Sequence, residues 1–387
     1  MQKGGLRLPL PPRIEAIAGL DELEDMADEF TAENGYRPEL LSHWDPKPEF
    51  EIQIARWIDG HSSSASLVQY VYPSYFPADD RIQKRLHERD GRGSLLSPSG
   101  TTSIAITITY LNSIGIRDLH VVRPAYFVAE TLAKYLGLSV SFCEVLREDT
   151  HYLLPRNISS GPASAVWLTI PIYGTSCYLP PESIAALIDS LPDGVIVVAD
   201  ESLAYSDRES LIGVKSIHRV IRIASPHKAL CINGEKISIV TVPNHLLDGL
   251  YAWSECFAGG IGASGLRAIS FLASDSFDRA ISCSRNLYRS LSNRMREALG
   301  ERQTISLDEE TDGHFVMIYW SDLPMALSRD RKFMQSIIQA SAAVPIPASR
   351  NGHPEQYGFA FRVNLLRLDD AGLGGLRRLA DVLDQHV

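Results

Sequence analysis

The sequence predicts an α/β protein: a mainly parallel sheet flanked by helices, joined to a smaller α+β lobe toward the carboxyl end. Three observations predict it. From about residue 95 to residue 242, apolar runs of strand length alternate with helix-length segments. Most of those runs are predominantly apolar rather than alternating, the pattern of strands covered on both faces. After residue 274 the texture changes to one long amphipathic stretch followed by widely spaced strands.

In chain order, Leu8-Pro9-Leu10-Pro11-Pro12 predicts an extended arm, and residues 20–30 a short helix. Residues 104–111 predict a helix, 119–122 a strand and 127–136 a helix. Strands are expected at 139–142 and 165–169, a helix at 181–190, and a strand at 195–199 that delivers Asp200 and Glu201. Runs at 220–224 and 237–242 complete the series. Phe277, Ile281, Tyr288, Leu291, Met295 and Leu299 lie close to helical spacing on a long helix. Strands near 315–320 and 359–366 and a final helix at 373–384 follow. The expected division is an N-terminal arm at 1–45 that joins the small lobe, a large domain at 46–274 and a small domain at 275–387.

A chain of 387 residues, 45% hydrophobic, is too long for one small core. Its net charge of −10, with no basic stripe, argues against nucleic acid as a partner. No apolar run reaches the roughly 18 residues of a membrane span. Met1-Gln2-Lys3-Gly4-Gly5 shows no secretory h-region. The five cysteines are scattered, odd in number and without a C-x-x-C pair. They predict neither a disulfide framework nor a metal site, and a reducing cytoplasm.

The most informative segment is Ser225-Pro226-His227-Lys228-Ala229-Leu230, fed by the apolar run Val220-Ile221-Arg222-Ile223-Ala224. It presents a lysine where a core strand ends. Burying an ammonium without a partner costs on the order of several kcal/mol. One reading is a surface lysine just past a strand. The other is a lysine held as a Schiff base with pyridoxal phosphate (PLP). Ser99-Gly100-Thr101 precedes a helix, so it reads as an N-cap or as a phosphate cradle of free N–H groups and hydroxyls. Asp200 closes an apolar strand, a place for a turn residue or for a buried carboxylate with a task. Arg362, in Phe359-Ala360-Phe361-Arg362-Val363, reads as a surface charge or as a planar fork for a carboxylate.

In this order and spacing, the segments resemble the class I/II aminotransferases, the fold-type I PLP enzymes, from about Tyr72 to Arg362. The resemblance implies PLP as cofactor and Lys228 as its Schiff-base lysine. It implies phosphate contacts from Ser99, Gly100, Thr101, Ser225 and Lys236, the last standing where the family usually has arginine. Tyr126 would stack on the pyridine ring, Asp200 would pair with the pyridine nitrogen, and Arg362 would bind the substrate α-carboxylate. Tyr72 resembles the family tyrosine that reaches the phosphate of the neighbouring subunit, which implies a homodimer with shared active sites.

The chain also departs from that pattern. Tyr173 stands where the family has the asparagine that bonds the cofactor's phenolic oxygen. Leu203 stands where the family has a tyrosine, and Tyr205 lies two residues on. We expect Tyr173 to supply the missing phenol, and so to be cofactor-binding and catalytic. Trp44, in Ser42-His43-Trp44-Asp45-Pro46, replaces the small glycine turn that covers the family's substrate. His43 and His227 are further acid–base candidates. The expected function is a PLP-dependent aminotransferase acting on the Cα of an amino-acid substrate. A PLP-dependent lyase, cyclase or β- or γ-replacement enzyme is the alternative. A non-catalytic PLP-fold protein fits less well, because Lys228, Asp200 and Arg362 are all present. A nicotinamide enzyme is disfavoured by the lack of G-x-G-x-x-G after the first strand.

Overall fold

A computed structural model describes residues 15–58, 92–148, 150–204, 210–234, 236–308 and 313–387. Among the described residues, seven strands form the central sheet. Their spatial order is Arg92–Ser97, Ser238–Pro243, Val220–Ala224, Ile196–Glu201, Ser164–Thr169, Asp118–Arg123 and Ser139–Glu144. The last five are mutually parallel, and Ser238–Pro243 runs antiparallel to both of its neighbours. The expected mainly parallel α/β sheet is therefore present.

Alternation along each strand feeds two cores, as the two-residue period of a strand requires. Ala165, Trp167, Val198, Ile221 and Ile223 pack on one face, with Ile104 and Ile108 of the helix Gly100–Ser113. Val166, Leu168, Val197, Ala199 and Val220 pack on the other, with Ile184 and Ile188 of the helix Pro181–Ser190. Both faces are covered, which is why these runs read as continuously apolar. Each valine, leucine or isoleucine among them, fully buried, contributes roughly 1.5–3 kcal/mol.

The C-terminal lobe carries an antiparallel sheet in the order Ser306–Leu307, Phe315–Trp320, Phe359–Asn364 and Ile346–Pro347. The helix Asp275–Leu299 leads into it and buries Phe277, Ile281, Tyr288, Leu291, Met295 and Leu299, as their spacing predicts. Glu39–Leu40 pairs in parallel with Ala343–Val344, so the N-terminal segment is hydrogen-bonded into this lobe. The helix Glu15–Asn34 places Leu23, Met26, Ala27 and Phe30 in the same core.

Several expected boundaries move. The first helix covers Glu15–Asn34 rather than 20–30. The strand expected to 366 ends at Asn364, whose side chain accepts from the Leu366 N–H at 3.0 Å and turns Leu365–Arg367 into a 3-10 helix. The final helix starts at Asp370, because Asp369 caps it through the Gly372 N–H at 2.8 Å. Arg92–Ser97 is a strand that the sequence pattern did not suggest.

Candidate active site

The parallel strands end level with one another. Thr169 is in register with Asp200, Asp200 with Ile223, and Glu201 with Ala224. In an open α/β sheet the crevice beyond the carboxyl ends of the strands is where ligands bind. Here it holds Thr169, Asp200 and the short helix Pro226–Ala229 that carries Lys228. Facing them is the N-terminus of the helix Gly100–Ser113.

A cavity of about 320 Å³ occupies this place. It is lined by Ser99, Gly100, Thr101, Tyr126, Tyr173, Asp200, Lys228 and Lys236, eight of the residues singled out by the sequence. Ser225 is fully buried just behind, its Oγ 3.5 Å from Ser202 Oγ. Trp44 lines both this cavity and an adjoining one of about 340 Å³, and Tyr126 and Tyr173 do the same. Arg362 lines the second cavity. Tyr72 and Tyr205 lie outside the described residues.

Burial, with the charge of Lys236 adding to it, pulls the Lys228 amine below its ordinary range, against the attraction of Asp200. Its Nζ lies 5.8 Å from the ring centres of both Trp44 and Tyr126. Burial pushes the Asp200 carboxyl up, against the hydrogen bonds of Ser202 and the charge of Lys228. The Ser202 N–H donates to Asp200 Oδ1 at 3.1 Å. A carboxylate and an amine thus face one cavity, each made less comfortable in its charged form by desolvation.

Ser99 caps its helix: its Oγ accepts from the Thr102 N–H at 3.1 Å and lies 2.9 Å from Thr102 Oγ1. Its hydroxyl is therefore already engaged, while the N–H groups of Gly100 and Thr101, ahead of Thr102, have no intrahelical acceptor. Gly100 keeps this end open. A Cβ there would lie 2.8 Å from Ser225 Oγ, 3.3 Å from Ser202 Oγ and 3.4 Å from Lys228 Nζ.

Arg362 is buried beneath the second cavity. Its guanidinium carbon lies 4.4 Å from the Phe315 ring centre and 5.4 Å from that of Trp44. One Nη donates to the Ser42 carbonyl at 3.2 Å, and its Nε has no hydrogen-bond partner among the described residues. Tyr173 is buried beside it. Burial pushes the Tyr173 phenol up to about 12, against the opposing charge of Arg362. The turn that presents Tyr173 needs Gly174, whose φ is +80°.

Both histidine candidates have local ties. His227 Nδ1 lies 2.8 Å from the Ile237 carbonyl oxygen and 3.2 Å from its nitrogen, and burial, helped by Lys228, pulls its pKa down to about 4. His43 lies 3.5 Å from Asp45.

Sequence reading missed four contributors. Thr169 and Ser202 line the first cavity, and Thr169 Oγ1 is buried with no hydrogen-bond partner among the described residues. Asn233 donates to the Trp44 carbonyl at 3.3 Å and so ties the N-terminal segment to the lysine segment. Phe315 floors Arg362. Thr169 closes the expected strand at 165–169 and opens the turn that leads to Gly174, and Ser202 and Asn233 sit in segments already flagged; nothing local marked Phe315.

No protein-family model matches the sequence, and no curated protein matches it. Solved structures do. A protein from Escherichia coli whose structure identified a methionine aminotransferase function aligns with TM-score 0.70 at 14% identity, covering 96% of this chain and 100% of that one. N-succinyldiaminopimelate aminotransferase from Mycobacterium tuberculosis gives 0.72 at 18%, covering 93% and 96%. A mutant of Thermus thermophilus aspartate aminotransferase gives 0.74 at 15%, covering 99% and 100%. The chain has the aminotransferase fold.

Enzymes of the aminotransferase fold generally use PLP, and the residues here fit that group. A phosphate needs orphaned N–H donors and a cation, which the first turn at Gly100 and Lys236 provide. The buried Thr169 hydroxyl lacks a partner that a polar ligand would supply. A flat ring would find an aromatic wall in Tyr126, and Asp200 and Lys228 line the same cavity. Among the described residues, no group of three or more His, Cys, Asp or Glu side chains could hold a metal ion.

Proposed function

We propose that this chain is a PLP-dependent enzyme that acts at the Cα of an amino acid, in the first place an aminotransferase. The observation that carries the reading is Lys228, buried just past a core strand with its pKa lowered, lining one cavity with Asp200 and a helix N-terminus.

Lys228 would hold PLP covalently. Ser99, Gly100, Thr101, Ser225 and Lys236 would hold its phosphate, Tyr126 its ring face and Asp200 its ring nitrogen. When bound, PLP supplies an electron-poor ring that accepts the electron pair left at Cα. Arg362 binds the α-carboxylate through its planar fork, and Trp44 and Phe315 keep water from the guanidinium. Once released by the incoming amine, Lys228 Nζ takes the Cα proton; its lowered pKa leaves more of it neutral and able to do so. Asp200 keeps its negative charge at one atom of the site throughout. Tyr72 of a neighbouring copy would complete the phosphate site, which makes the working unit a homodimer. The five cysteines are free, in keeping with a reducing cytoplasm.

Tyr173 favours a second reading. A phenol next to Arg362, where an asparagine is expected, alters the hydrogen bonding around the reacting centre. Such a change fits a PLP-dependent lyase, cyclase or replacement enzyme as well as it fits a transaminase. Mass spectrometry of the bound cofactor after a single turnover with a panel of amino acids separates the two. Conversion of PLP to pyridoxamine phosphate with a matching keto acid establishes transamination. An amino acid consumed with PLP unchanged establishes the second reading. Wild-type protein that binds no PLP overturns both.

A further inference from the structure

The second cavity carries information about the substrate's side chain. Its apolar walls are Leu20 and Leu23 from the helix Glu15–Asn34, Leu40, Phe127, Val344 and Ile346. At about 340 Å³ it lies within the range of small-molecule sites, roughly 300–1,000 Å³. It adjoins Arg362, so a ligand held there by its carboxylate would project its tail among these residues.

Apart from Arg362, each charged side chain lining this cavity has an ionic partner among the described residues, although the Arg350 Nε is left without a hydrogen bond. Arg350 pairs with Glu22 at 2.7 Å, and its guanidinium is packed on Gly19, where an added Cβ would come within 2.7 Å of it. Glu24 pairs with Arg37 at 2.8 Å. His43 has Asp45 at 3.5 Å. Among the described residues, Arg362 is the one charged lining residue with no ionic partner.

We infer that the substrate is an amino acid with a large apolar side chain, branched aliphatic or aromatic, and not an acidic or basic one. The inference rests on the reading above that Arg362 takes the α-carboxylate. A second carboxylate would have to compete with Glu22 for Arg350, whose unpartnered Nε is itself buried, or enter an apolar wall unpaired, and an unpaired buried charge is strongly disfavoured. An ammonium reaching Glu24 would meet a half-exposed group already paired with Arg37, where ion pairs contribute little. An apolar tail needs no partner: it displaces water and meets six apolar side chains. In pockets of this kind one methylene changes discrimination by roughly 10- to 200-fold.

The test is calorimetric binding of four carboxylates to the purified protein with its PLP: acetate, glutarate, 4-methylpentanoate and 3-phenylpropanoate. The last two are expected to bind at least about tenfold tighter than acetate, and glutarate no tighter than acetate. Leu20 is at the rim and 37% exposed, so Leu20→Glu is expected to fold and to reduce the apolar preference by about tenfold. Ile346→Ala, from the opposite wall, is expected to reduce it in the same direction. Glutarate binding tightest, an apolar tail conferring no gain, or no carboxylate binding at all would each overturn the inference. None of these affinities requires a bond at Lys228. A failure of the proposed function, seen as neither conversion of bound PLP nor consumption of any amino acid, is therefore read separately.

Discussion

Ser42 and Arg362 hold each other from both ends. The Arg362 guanidinium donates to the Ser42 carbonyl at 3.2 Å, and the Ser42 hydroxyl donates to the Arg362 carbonyl. The same hydroxyl oxygen accepts from the Ile346 N–H at 3.0 Å. One N-terminal serine thus fixes the backbone and the side-chain direction of the residue that would grip a substrate. It also sets Trp44, two residues on, against Phe315, with ring centres 4.8 Å apart.

Arg362→Lys keeps the charge and loses the fork. The expected loss is about 2 kcal/mol of substrate binding, roughly thirtyfold in KM, with a smaller change in kcat. Steady-state kinetics with the preferred amino acid checks it. An unchanged KM would remove Arg362 from the carboxylate site.

Gly100→Ala places a methyl 2.8 Å from the buried Ser225 hydroxyl and 3.4 Å from Lys228 Nζ. Overpacking of this kind costs about 1–3 kcal/mol. Because the crowding falls on the cradle, the expected result is PLP retention weakened by about tenfold, with the fold intact by circular dichroism. Equilibrium dialysis against PLP measures it.

Asp200→Asn removes the negative charge and leaves the shape. Turnover is expected to fall by about a hundredfold or more. Binding of an unreactive carboxylate at Arg362 should stay within about twofold, since electrostatics at Asp200 act on the reacting centre. Comparing kcat with calorimetric affinity distinguishes a chemical role from a merely structural one.

Arg222 and Glu201 form a buried ion pair on adjacent parallel strands, next to Asp200. Arg222→Met leaves Glu201 uncompensated and is expected to cost about 3–5 kcal/mol in urea denaturation. The double variant Arg222→Met with Glu201→Leu is expected to regain most of that loss. If the single variant is as stable as wild type, the pair is unimportant.

Burial pulls the pKa of His314 and of His353 down to about 3, and that of His227 down to about 4. The unfolded chain binds these protons near pH 6.5 and the folded chain does not, so stability is fully present above about pH 6.5 and is lost as pH falls. Asp308 acts in the opposite sense. Burial raises its carboxyl to about 6, so its contribution favours the folded state at low pH and fades as pH rises through about 6. The buried Asp200 carboxyl, also raised, acts in the same sense as Asp308; three histidines against these two carboxyls leave a net loss on acidification expected. His314 has neither ring nitrogen hydrogen-bonded among the described residues and lies against Phe315, ring centres 4.2 Å apart. His314→Phe is expected to recover about 2 kcal/mol relative to wild type on going from pH 7 to pH 5. Denaturation curves at the two pH values test the sign.

Much of the fold was legible because burial on both faces leaves a mark in sequence. The strands Val220–Ala224 and Phe315–Trp320 coincide with their apolar runs. Arg92–Ser97 did not announce itself, since it is an edge strand containing arginine, glycine and serines. Its register comes from Ser238–Pro243, and Arg92 reaches over to the Val220 and Thr241 carbonyls at 2.9 Å each. At the site, the segments around Ser99, Asp200, Lys228 and Arg362 each carry a local signature: a cap, a strand end, a strand end and an alternating strand. Thr169, Phe315 and Ser42 take their meaning from neighbours far away in the chain, which no local pattern encodes. Tyr173 was flagged by its position, but its partner Arg362 became visible only in three dimensions.

The pairing of Glu39–Leu40 with Ala343–Val344, and the Ser42–Ile346 bond that spans 304 positions, set a timetable for synthesis. A nascent chain emerging from the ribosome can assemble the strands that carry Asp200 and Lys228 while the partners of residues 39–42 are still untranslated. Domains tend to fold as units as they appear, and contacts distant in sequence form late. The part of one chain that would grip a phosphate can therefore form before the part that would grip a carboxylate exists. On the proposed reading, a nascent chain would take up its cofactor well before it could admit an amino acid.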